Sequence, residues 1–261
     1  MLCDLALLQS ASRFDLSGRA GRNASARWLS ELFVGLVGRI LKPRLVLELG
    51  AAEASFSRRV APLFHKTEVH ALEANPYVFR KHLGEAEQAG VFYHHLAVGD
   101  AVREATLKIA RKRDGAPVSA TKTNNSFRTR AMDVEYEDAV VPMVTVDHFV
   151  AERSLGGRTC AMWVDVEGLA LEVLTGAGET LKSTLAVMVE VEDKPMWIGQ
   201  RLSGDVQAHM FDAGFIPVAR DFEYESQYNL LFLARSALTN PHVRLALETA
   251  FAQSPVVPSP G

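Results

Sequence analysis

The chain has 261 residues, 48% hydrophobic and 23% charged, with a net charge of −3. That length and balance fit one large α/β domain or two small ones, with a core that needs no disulfide or metal. The charge argues against a general nucleic-acid binder, and two cysteines as far apart as Cys3 and Cys160 form neither a disulfide framework nor a metal-ligand spacing, which favours a reducing, cytoplasmic compartment.

The opening residues, MLCDLALLQSAS, are too short to span a membrane, lack a basic leader and carry Asp4, so no membrane span is expected. Residues 1–43 read as an N-terminal helical segment. Trp28, Leu29, Leu32, Phe33, Leu36, Val37 and Ile40 recur at helical spacing until Lys42-Pro43 stops them. This amphipathic helix has two readings, packing on the rest of the domain or covering a partner, and the oligomeric state stays open. RLVLELG, ending in Gly50, is a first strand, and residues 53–65 suit a helix. EVHALEAN (68–75) is a second strand, PYVFRKHLGEAEQAG (76–90) a helix opened by Pro and closed by Gly, and VFYHHLAVGD (91–100) a third strand. This alternation predicts a parallel, doubly wound sheet.

The alternation breaks over residues 101–144. Between Lys108 and Arg130 there are seven Lys or Arg and one Asp. Two readings apply to this inserted basic loop: a solvated connection between two strands, or a mobile flap over an anionic substrate. Its only base-stacking aromatic is Phe127, so nucleic acid is not expected as a partner. The alternation resumes with a strand at CAMWVDVEG, a helix at LALEVLTGAGETLKS, a strand at LAVMVEVED and a helix at GDVQAHMFDAG. The last two strands, FIPVAR and YNLLFLAR, are joined by a link too short for a helical crossover and should be antiparallel. The main domain is thus 44–236, and residues 237–261 supply a C-terminal helix and a disordered Pro/Ser-rich tail from Ser254.

Carboxylates gather where these strands end. In LVLELGAAEASFS, Glu48, Gly50, Glu53 and Ala54 sit at a strand-to-helix turn, the ligand crevice of such sheets. One glycine and two acids suit a cationic ligand better than a pyrophosphate, which requires more glycines. Glu73 ends the second strand, where an acid holds ribose hydroxyls in nucleotide-binding sheets. Ala97-Val98-Gly99 ends the third with small residues able to meet an adenine; His94 and His95 before it read as packed. Asp165 and Glu167 lie two apart and face the same side of a continuing strand. With Glu190 they form an oxygen-only set that a cation, a divalent metal such as Mg or a shared proton would compensate. Either could also act as a general base. Glu192 and Asp193 read instead as solvent-facing or helix-capping.

Three segments resemble the FkbM family of S-adenosylmethionine-dependent methyltransferases: VLELGAAEASFS; ALEANPYVFRKHL with LAVGD; and WVDVEGLALEVLTGA with VMVEVE. DVEG followed by a helix ending in TGA is the most specific. The family usually has an Asn and a second Gly where this chain has Ala52 and Ala54. The resemblance implies a class I methyltransferase (Rossmann-like) fold with a seven-stranded sheet, the last strand antiparallel, and O-methylation of a hydroxyl on a carbohydrate or other small-molecule, natural-product-like acceptor. It implies Gly50 and Ala51 near the methionine part of the cofactor, Glu73 and Ala74 near its ribose, Ala97 and Val98 near its adenine, and Asp165 near the sulfonium. Glu48 belongs to the same turn. Asp165 and Glu167 are the candidate catalytic pair, and Asp165, Glu167 and Glu190 the candidate metal ligands. The alternative, motivated by Ala52 and Ala54, is a non-catalytic binding or scaffold protein on this fold.

Overall fold

The computed structural model describes residues 11–122 and 125–252. The expected disordered tail from Ser254 lies outside the described residues, as does Cys3. Helix α1 (Arg19–Gly35) runs on as a π-helical turn, Leu36–Leu41, and ends at Lys42 in a left-handed conformation. Then come β1 (Leu45–Leu49), α2 (Ser55–Val60), β2 (Glu68–Glu73), α3 (Pro76–Gln88), β3 (Phe92–His95) and β4 (Ala97–Val98). A long hairpin follows, β5 (Arg103–Arg113) and β7 (Val134–Val144), with the short β6 (Ala116–Pro117) between them. The chain continues through α4 (Val146–Glu152), β8 (Cys160–Val164), α5 (Ala170–Thr175), α6 (Gly178–Leu181), β9 (Thr184–Glu192), α7 (Ser203–Asp212), β10 (Phe215–Arg220), β11 (Gln227–Ala234) and α8 (Pro241–Ala252).

The main sheet has the order β3-β2-β1-β8-β9-β11-β10. Every pairing is parallel except those of β11, which runs against both neighbours as its short connection requires. All five residues of β1 are buried, as a central strand covered on both faces demands. Leu47, Leu49, Met162 and Val189 pack on one face with Phe149, Leu174 and Met210 from α4, α5 and α7. Val46, Ala161 and Met188 pack on the other with Leu29 and Phe33 from α1 and Phe56 from α2. Of the two readings of the N-terminal helix, α1 therefore takes the first and packs on the sheet. The chain winds outward from β1 to β3 and returns to β8 on β1's other side, which opens a crevice above the carboxyl ends of β1 and β8. Among the described residues no helix is long and apolar enough to cross a membrane.

Two expectations change. The single third strand divides at Leu96, and β4 joins a second sheet of order β4-β7-β5-β6. Residues 108–113 are strand rather than loop, because β7 supplies both a backbone ladder and opposing charges. Lys108 lies 3.8 Å from Asp138, Arg111 3.4 Å from Glu137 and Lys112 2.9 Å from Glu135. Each exposed pair is worth little by itself, but together they leave less unpaired positive charge than the basic run alone implies. Leu107, Ile109, Val141 and Met143 form the buried face of this hairpin.

Candidate active site

The crevice is a cavity of about 330 Å³, within the range of small-molecule sites. Its floor is a junction of backbones. Gly50 N donates to Leu72 O at 3.0 Å and Asp165 N to Leu49 O at 2.9 Å, which locks the ends of β1, β2 and β8 together. Gly50 has φ 76°, and a Cβ there would overlap the carbonyl of Asp165. Ala52 and Ala54 also take left-handed conformations, φ 45° and 55°, which Asn and Gly adopt most easily. The turn that the missing Asn and Gly put in question is thus built with alanines. Ala52 is clamped on both sides: its N–H donates to Glu73 Oε2 at 2.8 Å and its carbonyl accepts from the Tyr93 hydroxyl.

Glu48 and Glu73 both line the cavity but are held by backbone. Glu48 accepts from Phe56 N at 3.2 Å and Ser57 N at 2.7 Å, capping the first turn of α2. Glu73 accepts from Ala52 N and, at 2.6 Å, from Asn75 N. Burial, with the nearby charge of Asp165, pushes each carboxyl up to about 7. Ala74, Ala97 and Val98 form the less polar end with Leu107, Asn125 and Phe127. His95 approaches Ala74 O at 3.0 Å and stacks on Phe79, and His94 pairs with His70 at 3.0 Å, so both are packed as expected.

At the other end Asp165, Glu167 and Glu190 come within 4.8 Å of one another. Burial raises the pKa of Asp165, and burial together with the charges of Asp165, Glu167 and Glu192 raises that of Glu190. Carboxylates this close repel one another, and a shared proton relieves that repulsion. Gln227 Nε2 donates to Glu190 Oε1 at 2.8 Å and holds it in place. Glu192 departs from its solvent-facing expectation. It is 3% exposed, accepts from Gln200 Nε2 at 2.5 Å and is pushed by burial to about 7. Asp193 accepts the Tyr228 hydroxyl at 2.7 Å.

The DVEG turn is tightly cast. Glu167 and Gly168 have φ 46° and 84°, and a Cβ on Gly168 would strike the Trp197 ring. Trp197 is 1% exposed beneath that turn, with the Arg130 guanidinium 4.5 Å from its ring centre, so it is a core plug rather than a stacking surface. The end of the basic segment packs over the turn. Ser126 Oγ donates to Glu167 O at 2.6 Å, and Arg128 donates through Nε to Gly168 O at 3.1 Å and through Nη2 to Glu172. Asn125 and Phe127 therefore form a fixed cavity wall. Sequence reasoning missed Ser126, Arg128, Trp163 and the buried state of Glu192. Ser126 and Arg128 lie in a segment without periodicity, Trp163 and Glu192 in strands whose pattern does not say what covers them, and only tertiary contact gives these residues a role.

Five carboxylates, Glu48, Glu53, Glu73, Asp165 and Glu167, line the cavity beside one guanidinium, Arg59. This acidic crevice with a glycine floor and an apolar end fits a ligand that is cationic at one end and planar at the other, as S-adenosylmethionine is.

Several solved structures are similar to this chain. The methyltransferase FkbM from Methylobacillus flagellatus KT has 10% identity and a TM-score of 0.45 over 72% of this chain and 43% of that one. Magnesium protoporphyrin IX methyltransferase from Synechocystis with bound SAM has 10% identity and a TM-score of 0.44 over 80% of this chain and 78% of that one. Precorrin-6y C5,15-methyltransferase from Geobacter metallireducens has 11% identity and a TM-score of 0.42 over 78% of this chain and 86% of that one. No curated protein matches the chain in sequence. The methyltransferase FkbM domain matches residues 48–217, a span from Glu48 at the end of β1 into β10 that takes in both the acidic crevice and the DVEG turn, and the chain belongs to this family of S-adenosylmethionine-dependent methyltransferases.

Proposed function

We propose that this methyltransferase methylates a hydroxyl oxygen of a small carbohydrate or natural-product acceptor, with the Asp165–Glu190 pair receiving the hydroxyl proton. The observation that carries this reading is the approach of the Asp165 and Glu190 carboxyls, together with Glu167, to within 4.8 Å of one another beside the crevice. A pair that shares one proton keeps one carboxylate ionised, and that carboxylate is the base. When bound, S-adenosylmethionine supplies an electrophilic methyl group on a sulfonium. The chain's part is to align the acceptor oxygen, exclude water and take up the proton. Glu48 holds the turn from β1. Gly50 and Ala51 would hold the methionine part of the cofactor, and Asp165 would face its positive centre. Glu73 keeps carboxylate lone pairs free for ribose hydroxyls beyond its two backbone bonds. Ala74 would lie with Glu73 at the ribose, and Ala97 and Val98 would cover the adenine. We place this chemistry in the cytoplasm on the sequence reading of two far-apart cysteines; among the described residues Cys160, buried in β8, is a free thiol.

The test is transfer of a labelled methyl group to hexoses, 6-deoxyhexoses and polyketide alcohols, with alkaline stability of the product separating an ether from an ester. Transfer to carboxyl or nitrogen acceptors alone would defeat the hydroxyl assignment. A second reading places a divalent cation such as Mg among Asp165, Glu167 and Glu190 in place of the shared proton, supported by their convergence within 4.8 Å. Transfer that is unchanged in excess chelator removes it.

A further inference from the structure

We infer that the acceptor is held in a second cleft, of about 400 Å³ between α1 and the β8-β9-β11 part of the sheet, and that this cleft takes a small uncharged polyhydroxylated molecule. The inference rests on the methyl-transfer reading above. The cleft adjoins the cofactor crevice, because Ser30 and Trp163 line both.

Strand register ties the cleft to the proton-accepting pair. Trp163 stands opposite Met188, and both line the cleft. Two residues on, along the same face of β9, Glu190 stands opposite Asn229 of β11, another cleft residue. Glu190 in turn lies within 4.8 Å of Asp165, two residues beyond Trp163. A molecule resting on Trp163 and reaching Asn229 thus lies beside the Asp165–Glu190 pair.

The lining states the ligand's chemistry. Asp221 is 2% exposed and accepts from Asn229 N at 3.0 Å and from Asn229 Nδ2 at 2.8 Å. This fixes the amide, and its Oδ1 is a buried acceptor with no hydrogen-bond partner among the described residues. An unsatisfied buried acceptor is costly unless a ligand donor fills it. Trp163 is held by Phe33 and Phe56, with ring centres 5.8 and 5.3 Å away, and offers a fixed apolar surface. One apolar ring surface beside an amide acceptor suits a molecule with a C–H face and a hydroxyl rim. Asp221 and Glu223 against Arg27 disfavour an anionic acceptor.

Saturation-transfer NMR on the full chain loaded with S-adenosylhomocysteine tests this with D-glucose, D-galactose, D-mannose, L-rhamnose and D-fucose, and with D-glucose 6-phosphate as the charged comparison. At least one neutral sugar should give a signal. Ala26→Trp, which fills the cleft, and Asn229→Ala should lose that signal while calorimetric affinity for S-adenosylhomocysteine stays at the wild-type value, which also shows that the variants fold. A signal that persists in both variants, a signal from the phosphate alone, or none from any neutral sugar with the cofactor bound overturns the inference. A wild-type chain that binds no S-adenosylhomocysteine overturns the methyl-transfer reading itself, and the calorimetric arm separates the two failures.

Discussion

Gly50 and Asp165 meet backbone to backbone: the Cα of the first, at φ 76°, faces the carbonyl of the second with no room for a Cβ. Gly50→Ala therefore combines a left-handed conformation with a clash against backbone that cannot swing away. It should cost about 3 kcal/mol and about 10 °C in thermal midpoint, and should abolish binding of S-adenosylhomocysteine. Gly84→Ala is the control. In α3 a Cβ at Gly84 meets nothing within 4 Å, so that variant should gain up to about 1 kcal/mol of helix propensity. Equal melting curves for the two variants would refute the tight junction.

Ala52 carries a related cost without a clash. Its φ of 45° is unfavourable for any residue with a Cβ. Ala52→Gly should raise stability by about 1 kcal/mol, roughly 2–4 °C, with cofactor affinity unchanged because both backbone bonds remain. A lower midpoint would show that the alanine side chain packs better than its half-buried position indicates.

The main sheet was legible because most of its strands are apolar runs, with β1, β2, β8 and β9 closed by glycine or acid, and because the helix signals between them predict parallel crossovers. The second sheet was not. In β5 the charges at Lys108, Arg111 and Lys112 look like a solvated loop until Glu135, Glu137 and Asp138 are set across from them. Helix α4 carried a short signal that went unread: Thr145 caps it by accepting from His148 N at 3.0 Å, and Val146, Phe149 and Val150 are its buried stripe. In the site, Glu48, Gly50, Glu73 and Asp165 could be picked out because strand ends are where ligands bind. Glu192 could not, since its burial depends on Gln200 folding back from the loop after β9.

Acidity should stabilise the ligand-free chain. Glu48, Glu73 and Glu192 are raised from 4.5 to about 7, by burial first and by Asp165 in addition. A carboxyl raised in the fold binds its proton more tightly there than in the unfolded chain. The stability this adds is complete below 4.5 and is lost as pH rises through about 7. Glu192 faces Asp165, Arg130, Gln200 and Gln227, and Glu192→Gln keeps the shape of the protonated acid. The variant should match wild type near the low end of that window and become progressively more stable than wild type towards its upper end. Denaturant titrations across the window check this, and a difference independent of pH would show that Glu192 titrates normally.

Asp165→Asn and Glu167→Gln separate proton transfer from binding. If Asp165 accepts the acceptor's proton, Asp165→Asn should lower kcat by about 10²-fold or more, and the loss should shrink at high pH as the acceptor ionises unaided. Glu167→Gln, outside the proposed proton-accepting pair, should cost less. A double variant with wild-type kcat would remove both residues from the chemistry while leaving the family assignment untouched.

Arg128 is the clamp between the two sheets. It reaches Gly168 O through Nε, Ile198 O at 3.4 Å through Nη1, and Glu172 through Nη2. These bonds run in different directions from one rigid planar group, so a lysine cannot reproduce them. Arg128→Ala leaves the partly buried Glu172 carboxylate without its cation and should cost about 2–4 kcal/mol. Arg128→Lys should restore the charge but under half of the lost stability. Because Ser126 and Phe127 hang on the same clamp, both variants should weaken S-adenosylhomocysteine binding in step with their thermal midpoints. Full recovery with lysine would mean that charge alone, and not the fork of hydrogen bonds, seats the hairpin on the DVEG turn.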